Sequence, residues 1–364
     1  MIKIIKRGSI SEGKKIVIHI LAIIMALLIS GLIILIFTGK NPISVYMAML
    51  EGSFGSRYRF NQVIVKTIPL IITSLGIAVA FKMKFWNIGA EGQIFMGAFG
   101  ASFFALNFSY LPRPILLIIM AIAGIISGGL FALIPAFFKA EWKTNETIIT
   151  LMLNYVALKF VTYLQYGPWK DPNASGFPKI PNFETSAVLP KLLGIHIGWI
   201  ISIILIILMF IFMNKSKLGY EISVIGESEN TARYAGINIK RTIITAMLIS
   251  GGLCGLAGMI EASAVSNTLS VEVTGGVGYT AIITAWLAGL SAPMIGIVSF
   301  LFALLIQGAA YIQTAYNIPS SMAQMLQGII LFFVLGSEFF VQYKLITKKN
   351  LEILINKELN KEGK

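Results

Sequence analysis

The sequence predicts an all-α, polytopic membrane protein with about ten transmembrane helices. Of its 364 residues, 56% are hydrophobic and 12% are charged, and the mean hydropathy is +0.82. Apolar runs of about 20 residues recur along the chain, the length that an α-helix needs to cross the hydrocarbon core. The composition and the recurring runs favour an integral membrane protein over a soluble domain with a large core.

The positive charges follow the pattern of a membrane protein with both termini in the cytoplasm. With the N-terminus inside, 20 of the 29 Lys and Arg residues lie in inside segments and seven in outside segments. The other two, Lys66 and Lys159, lie in predicted helices, and Lys66 is expected to snorkel to the outer surface. This bias predicts an N-in, C-in topology, and it accounts for the net charge of +13 without a nucleic-acid partner.

Ten apolar segments give the predicted helices of a membrane domain over 16–341. A basic N-terminus, 1–15, precedes this domain and a basic tail, 342–364, follows it, both predicted to be cytoplasmic. The first segment is too long for the apolar region of a signal peptide, so we predict a retained helix. The segments are 16–37, 63–81, 94–108, 115–138, 146–164, 197–213, 243–261, 277–290, 294–315 and 322–340.

The loop 165–196 is the longest on the predicted outer side, and the stretch 38–62 is predicted to lie at the same surface. The loop contains five prolines, and its large aromatic residues include Trp169, Phe177 and Phe183. A proline-rich loop with exposed aromatics is typical of a docking surface, and a rigid lid over helix ends is the alternative.

The loop 214–242 on the predicted inner side contains signals for a short helix. Ser228 can cap this helix, Glu229 and Arg233 lie one turn apart on it, and Gly236 can end it. A mixed-charge helix on a cytoplasmic loop suits docking of a partner protein, and a solvated connector is the alternative. The candidate contact residues are Glu227, Glu229, Arg233 and Gly236.

A polar turn over 87–93 opens the third predicted helix. Asn87 is predicted to cap this helix, and Glu91 is predicted to lie in its first turn, where the helix dipole favours an anion. A carboxylate within a membrane segment is costly and usually functional, although capping and packing alone remain the alternative. Ala90, Gly97 and Ala101 share one face, which favours close packing of helices.

A second interrupted segment begins at Gly275–Gly278. The apolar run that follows is about 14 residues long, roughly 21 Å as a helix, which is too short to cross a core of about 30 Å unaided. Segments two to five and seven to ten then form two four-helix halves of opposite direction, each with one interrupted helix. Inverted repeats with broken helices are frequent in transporters, and the breaks point to the substrate path.

Polar and aromatic side chains near these breaks are the candidates for lining a path. Thr147, Thr150 and Asn154 share one face of the fifth predicted helix, which faces either a neighbouring helix or a water-filled path. Amides and hydroxyls can hydrogen-bond a neutral solute, and aromatic rings can stack on a flat one or anchor at the interface. The candidates are Trp86, Asn87, Glu91, Gln93, Thr147, Thr150, Asn154, Tyr279 and Trp286.

Several functional classes lack their sequence signals. One cysteine and two distant histidines argue against a metal site or a catalytic centre, so no catalytic or metal-binding residue is predicted. No P-loop motif is present, so the chain is not predicted to hydrolyse ATP itself. An ion-coupled transporter remains an alternative, although its candidate charges, Glu91, Lys159, Glu261 and Glu338, lie near predicted helix ends.

Four segments resemble one family. Residues 85–97, FWNIGAEGQIFMG, resemble the N-I-G-[AV]-E-G-Q signature of bacterial ABC-importer permeases of the ribose and branched-chain amino acid type. Residues 145–157, NETIITLMLNYVA, are similar to the corresponding segment of its nucleoside branch. Residues 226–240 resemble the cytoplasmic loop of the family, and 275–289 resemble its late glycine-rich segment.

The resemblance implies a multi-pass permease in the bacterial cytoplasmic membrane, in contact with lipid. It also implies a second permease subunit, identical or related, an extracytoplasmic substrate-binding lipoprotein, and ATPase subunits that bind ATP, while this chain holds no cofactor. In that case 214–242 is the coupling loop that receives the ATPase. The implied substrate is a nucleoside, with a monosaccharide such as ribose as the alternative.

Overall fold

The computed structural model describes residues 2–6, 11–174 and 176–347. Parts of the basic N-terminus, most of the basic tail and the Glu338 side chain lie outside the described residues.

Helices joined by short loops make up most of the described chain. The elements in chain order are β1 (Ile2–Lys6), α1 (Glu12–Thr38), α2 (Pro42–Phe54), α3 (Arg57–Lys82), α4 (Ala90–Asn107), α5 (Arg113–Trp142), α6 (Glu146–Tyr166), a 3₁₀ turn (Thr185–Ala187), β2 (Lys191–Leu192), β3 (Ile195–His196), α7 (Gly198–Lys215), α8 (Lys217–Glu227), α9 (Glu229–Tyr234), α10 (Ile239–Ile260), a π-helix (Glu261–Ser266), α11 (Val277–Leu287), α12 (Ala292–Tyr316), α13 (Ser320–Gln342) and β4 (Tyr343–Thr347).

Eight of the described helices are long and apolar enough to cross a membrane. This confirms the predicted class, an all-α polytopic membrane protein. Helices α4 and α11 correspond to the third and eighth predicted segments but are not among the eight, and α11 has only 11 residues. The count of ten crossings and the N-in, C-in orientation therefore stay predictions.

The stretch 38–62 is more regular than predicted. It contains the whole of α2, and α3 begins at Arg57, where the Ser56 side chain accepts a hydrogen bond from the Arg59 backbone N–H. Helix α10 similarly begins at Ile239, four residues before its apolar segment. Hydropathy locates the apolar part of a helix, whereas capping groups determine where the helix itself starts.

The chain forms two compact units. The first combines Met1–Gly52 with Gly308–Lys364. Within it α1 packs against α13, the His19 ring and the Ser337 hydroxyl lie 3.0 Å apart, and β1 pairs antiparallel with β4. The second unit, Ser53–Gln307, contains every candidate path and coupling residue.

The centre of the second unit is formed by α4, α5 and α10, which pack closely. The predicted small-residue face is confirmed: Ala90 and Ala101 are fully buried, and a Cβ on Gly97 would overlap the backbone of Gly255 on α10. Backbones in such close contact leave little room for adjustment. The polar turn at the start of α4 is thus fixed to a rigid centre.

Candidate functional site

The polar turn between α3 and α4 is held by two side-chain amides. Asn87, which is fully buried, accepts hydrogen bonds from the Gly89 N–H (3.0 Å) and the Gln93 Nε2 (3.1 Å). Its Nδ2 donates to the Gln93 Oε1 (3.2 Å) and to the Ser250 hydroxyl on α10 (3.3 Å). The prediction that Asn87 caps α4 is wrong, because Gly89 is the N-cap residue and the Asn87 amide pairs with Gln93 instead.

Glu91 joins the two interrupted segments. It lies in the first turn of α4, as predicted, and is 6% exposed. One carboxylate oxygen accepts a hydrogen bond from the Thr274 hydroxyl, and the other accepts one from the Gly278 N–H at 2.7 Å. Gly278 is in the first turn of α11, so Glu91 places a negative charge at the N-terminus of that helix, where the dipole favours an anion.

Two members of the polar stripe on α6 bind the same turn. The Asn154 Oδ1 accepts from the Gly92 N–H (2.8 Å), and its Nδ2 donates to the Ile88 carbonyl (2.8 Å). The Thr150 hydroxyl accepts from the Ile88 N–H (3.2 Å), while Thr147 is partly buried. For Thr150 and Asn154, bonding to a neighbouring segment is therefore the role that the structure supports.

The aromatic candidates are accessible where the amides are not. Trp86 is 43% exposed and stacks on Trp286 of α11, with ring centroids 5.5 Å apart and planes 22° apart. Phe81 contacts both indoles, at 5.4 and 5.9 Å. Tyr155 and Tyr279 are also exposed, and the Tyr279 hydroxyl lies 3.5 Å from the Asn154 Nδ2. We call Phe81, Trp86 and Trp286 the aromatic cluster.

The predicted short helix in 214–242 is confirmed. The Ser228 hydroxyl accepts a hydrogen bond from the Thr231 N–H (3.2 Å) and caps α9, and Gly236, just after this helix, has a φ of +72°. The four candidate contact residues, Glu227, Glu229, Arg233 and Gly236, are all exposed. Helix α8, which precedes α9, was not predicted.

The end of α8 contacts the end of α3 directly. Gly226 of α8 is buried, and a Cβ on it would overlap the carbonyl oxygen of Lys82. Beside this contact is a cavity of about 190 Å³, lined among others by Met83, Lys84, Phe85, Lys139 and Glu229. The α8–α9 segment is therefore connected to the chain just before Trp86 and the polar turn.

Glu146 makes a second connection to the turn. Its side chain is 7% exposed, and its Oε2 lies 2.8 Å from the Lys139 ammonium. Its Oε1 accepts a hydrogen bond from the Trp86 N–H at 3.4 Å. A buried carboxylate with both an ion-pair partner and a hydrogen-bond donor fixes the segments that it joins, here the start of α6, the end of α5 and the turn.

Comparison with known proteins identifies the chain. Residues 59–335 match the family described as "Branched-chain amino acid transport system / permease component". The chain belongs to this permease family. The sequence-based resemblance is thereby confirmed, and the family sets aside the ion-coupled alternative.

Three curated relatives resemble this permease over most of their length. A glucose ABC transporter permease protein from Haloferax volcanii is 29% identical over 89% of this chain and 88% of its own. The nucleoside ABC transporter permease protein NupB from Lactococcus lactis is 31% identical over 94% of this chain and 96% of its own. The guanosine ABC transporter permease protein NupP from Bacillus subtilis is 31% identical over 88% of this chain and 94% of its own.

The family and the apolar helices establish the general role. This chain is the permease subunit of an ABC importer and a multi-pass protein of the cytoplasmic membrane. Its relatives are transport proteins, and an importer of this type implies an ATPase and a substrate-binding partner.

The loop 165–196 of the permease is packed rather than open. Phe183 is buried, Trp169 stacks on Phe99 of α4 with centroids 5.4 Å apart, and only Phe177 of the three aromatics is fully exposed. The Ser263 hydroxyl in the π-helix donates to the Ala187 carbonyl (2.6 Å). The expectation of several exposed aromatics is wrong, and the lid alternative describes this loop better.

His196 shows how tightly this loop is closed. It lies in β3 opposite Lys191 of β2 and is 2% exposed. Burial, with a smaller contribution from the Lys191 charge, lowers the pKa of the His196 imidazole to about 4. The ring is therefore neutral at neutral pH and packs as an apolar group.

Proposed function

We propose that this permease forms the translocation path for a nucleoside. The observation that carries the proposal is the exposed Trp86 ring, stacked on Trp286 in the aromatic cluster beside the turn where the two interrupted helices meet. Indole and phenol rings offer flat apolar surfaces to a base, and the nearby Tyr279 hydroxyl can hydrogen-bond a base edge or a ribose. Two of the three relatives above are named as nucleoside or guanosine permeases, which supports the same substrate class.

The rest of the importer follows from the same proposal. An extracytoplasmic lipoprotein delivers the nucleoside, and a second permease subunit, identical or related, completes the path. ATP binds to separate ATPase subunits rather than to this chain. The ATPase docks on α8 and α9, where Glu227, Glu229, Arg233 and Gly236 are exposed.

A monosaccharide is the second candidate substrate. The glucose permease from Haloferax volcanii is about as similar to this chain as the nucleoside permeases are. Amide and hydroxyl groups hydrogen-bond sugar hydroxyls as readily as base edges, so these groups alone do not separate the two classes.

Uptake by the reconstituted importer tests the substrate class. With the ATPase and the binding protein present, we expect uptake of labelled guanosine, adenosine or uridine. Unlabelled nucleosides should compete, whereas ribose, glucose and leucine should not, because none of them offers a base to the aromatic cluster. Competition by ribose or glucose, with none by any nucleoside, would assign the permease to sugar transport.

Charge reversal on α9 tests the docking surface. We expect the double variant Glu229→Lys/Arg233→Glu to lower transport and substrate-stimulated ATP hydrolysis by about tenfold, because an interface charge next to a like charge is repelled. The membrane domain should stay folded, since both side chains are exposed. Glu184→Lys, a reversal in the loop 165–196 away from α9, is the matched control and should leave ATPase binding unchanged. If the charge-reversed α9 variant still binds the ATPase and still shows stimulated ATP hydrolysis, the ATPase docks elsewhere.

A further inference from the structure

Two charged side chains of the membrane domain lack a hydrogen bond and a close ion pair in the part of the chain that the structure describes. Lys66 lies on α3, and Glu261 is the first residue of the π-helix that continues α10. Among the described residues, neither makes a hydrogen bond or an ion pair within 4 Å. An unpartnered charge in a membrane segment is costly, and π-helices are frequent at functional sites.

The register of α3 and α10 brings these two residues to the same level. Gly76 of α3 contacts Ser250, Leu253 and Cys254 of α10, and the chain just after α3 lines one cavity together with Ile243 in the first turns of α10. Because the helices are antiparallel, moving about ten residues back along α3 and forward along α10, roughly 15 Å in each case, reaches Lys66 and Glu261. At this level the two opposite charges lie close enough to act on each other.

Both residues are partly exposed beside buried neighbours. Lys66 and Glu261 are partly exposed, whereas Thr67, Ile260 and Ala262 next to them in the chain are buried. Both charged residues can therefore be reached by a solute although buried residues flank them. Roughly 24 Å of α3 separates Lys66 from the end of the helix near the aromatic cluster.

We propose that Lys66 and Glu261 form a binding subsite for the vicinal hydroxyl pair of a sugar ring, the ribose of the transported nucleoside. A carboxylate accepts hydrogen bonds from two adjacent hydroxyls, and an ammonium donates to a hydroxyl or ring oxygen. The positive and the negative charge give the subsite no net charge, which suits a neutral solute. The subsite rests on the proposed function, because it requires the transported solute to pass Lys66 and Glu261.

A comparison of ribonucleoside with deoxynucleoside transport tests this subsite. In the reconstituted importer we expect guanosine to be transported in preference to 2′-deoxyguanosine. Glu261→Gln should reduce this preference by about tenfold, since an amide has one acceptor oxygen and no charge with which to hold two hydroxyls. Glu272→Gln, which removes an exposed carboxylate further along the same segment, should leave the preference unchanged.

Further variants and substrates decide the other outcomes. If Glu261→Gln leaves Lys66 uncompensated and fails to assemble, the neutral double variant Lys66→Gln/Glu261→Gln replaces it. An unchanged preference in an assembled variant, failure of the double variant to assemble, or transport of leucine in place of a sugar-containing solute would overturn the subsite. If the wild type transports no nucleoside, the proposed function fails, and the same variants with glucose and 2-deoxyglucose then test the subsite separately.

Discussion

Replacing Glu91 with alanine is expected to abolish most transport while leaving the permease assembled. The carboxylate bridges the first turn of α4 to Thr274 and to the Gly278 N–H of α11. Removing it leaves a buried hydroxyl and a helix-terminal N–H without an acceptor, at a cost of about 1–3 kcal/mol for each group. Because α11 has only 11 residues, its start depends strongly on this contact. We expect the rate of uptake to fall at least about tenfold, because even a small displacement of the groups that line a path lowers the rate strongly.

Two further variants show what the Glu91 carboxylate contributes. Glu91→Gln keeps an acceptor for the Gly278 N–H and should retain a substantial part of the transport if hydrogen bonding, rather than charge, is the main effect. Glu272→Ala removes an exposed carboxylate from the segment before α11 and should transport normally. Copurification of the ATPase subunit measures assembly in each case. Near-normal uptake by Glu91→Ala would show that the bridge is dispensable.

The helices of the membrane domain were predictable because hydropathy is a local property. Each of the ten apolar segments lies largely within a described helix. The ends were less predictable: α3 begins six residues before its apolar segment, and the short helices α2 and α8 were missed. The first turns of α3 and the short helices α2 and α8 contain polar or mixed residues, and hydropathy does not distinguish such stretches from loops.

The site was predictable in its parts but not in its pairing. The polar turn, the position of Glu91 and the second break at Gly275–Gly278 all follow from local sequence. The contact between them does not, because Glu91 and Gly278 are 187 residues apart in the chain and one sequence contains no information on that pairing. Asn87 was misassigned for a related reason, since its Gln93 and Ser250 partners compete with a capping role.

In the α8–α9 segment, too, local structure was predictable and long-range contacts were not. Ser228 predicted α9 correctly, because a cap and its helix are neighbours in sequence. The contact of Gly226 with Lys82 depends on how α8 packs on α3, as does the contact of Glu146 with Trp86. No local signal marks either pairing, although Gly226 connects the predicted docking surface to the end of α3 and Glu146 connects α5 and α6 to the turn.

Gly226→Ala is expected to uncouple ATP hydrolysis from transport. An added Cβ would overlap the Lys82 carbonyl oxygen, a backbone atom that moves only if α8 or the end of α3 moves. Lys82 is four residues before Trp86, so the displacement acts on the chain that leads into the aromatic cluster and the polar turn. We expect at least about a tenfold loss of transported solute per ATP hydrolysed, since small displacements of positioned groups have large kinetic effects.

The control for this variant is Gly328→Ala. Gly328 is a helical glycine in α13, and an added Cβ there would meet no heavy atom within 4 Å apart from the adjacent residues and backbone of its own helix, so the same substitution should leave transport unchanged. The measurement is the ratio of solute uptake to ATP hydrolysis, taken with the copurified ATPase. A normal ratio for Gly226→Ala would mean that motion of the ATPase reaches the path by another route. Loss of the copurified ATPase would instead assign Gly226 to docking, because coupling can only be lost in a complex that still forms.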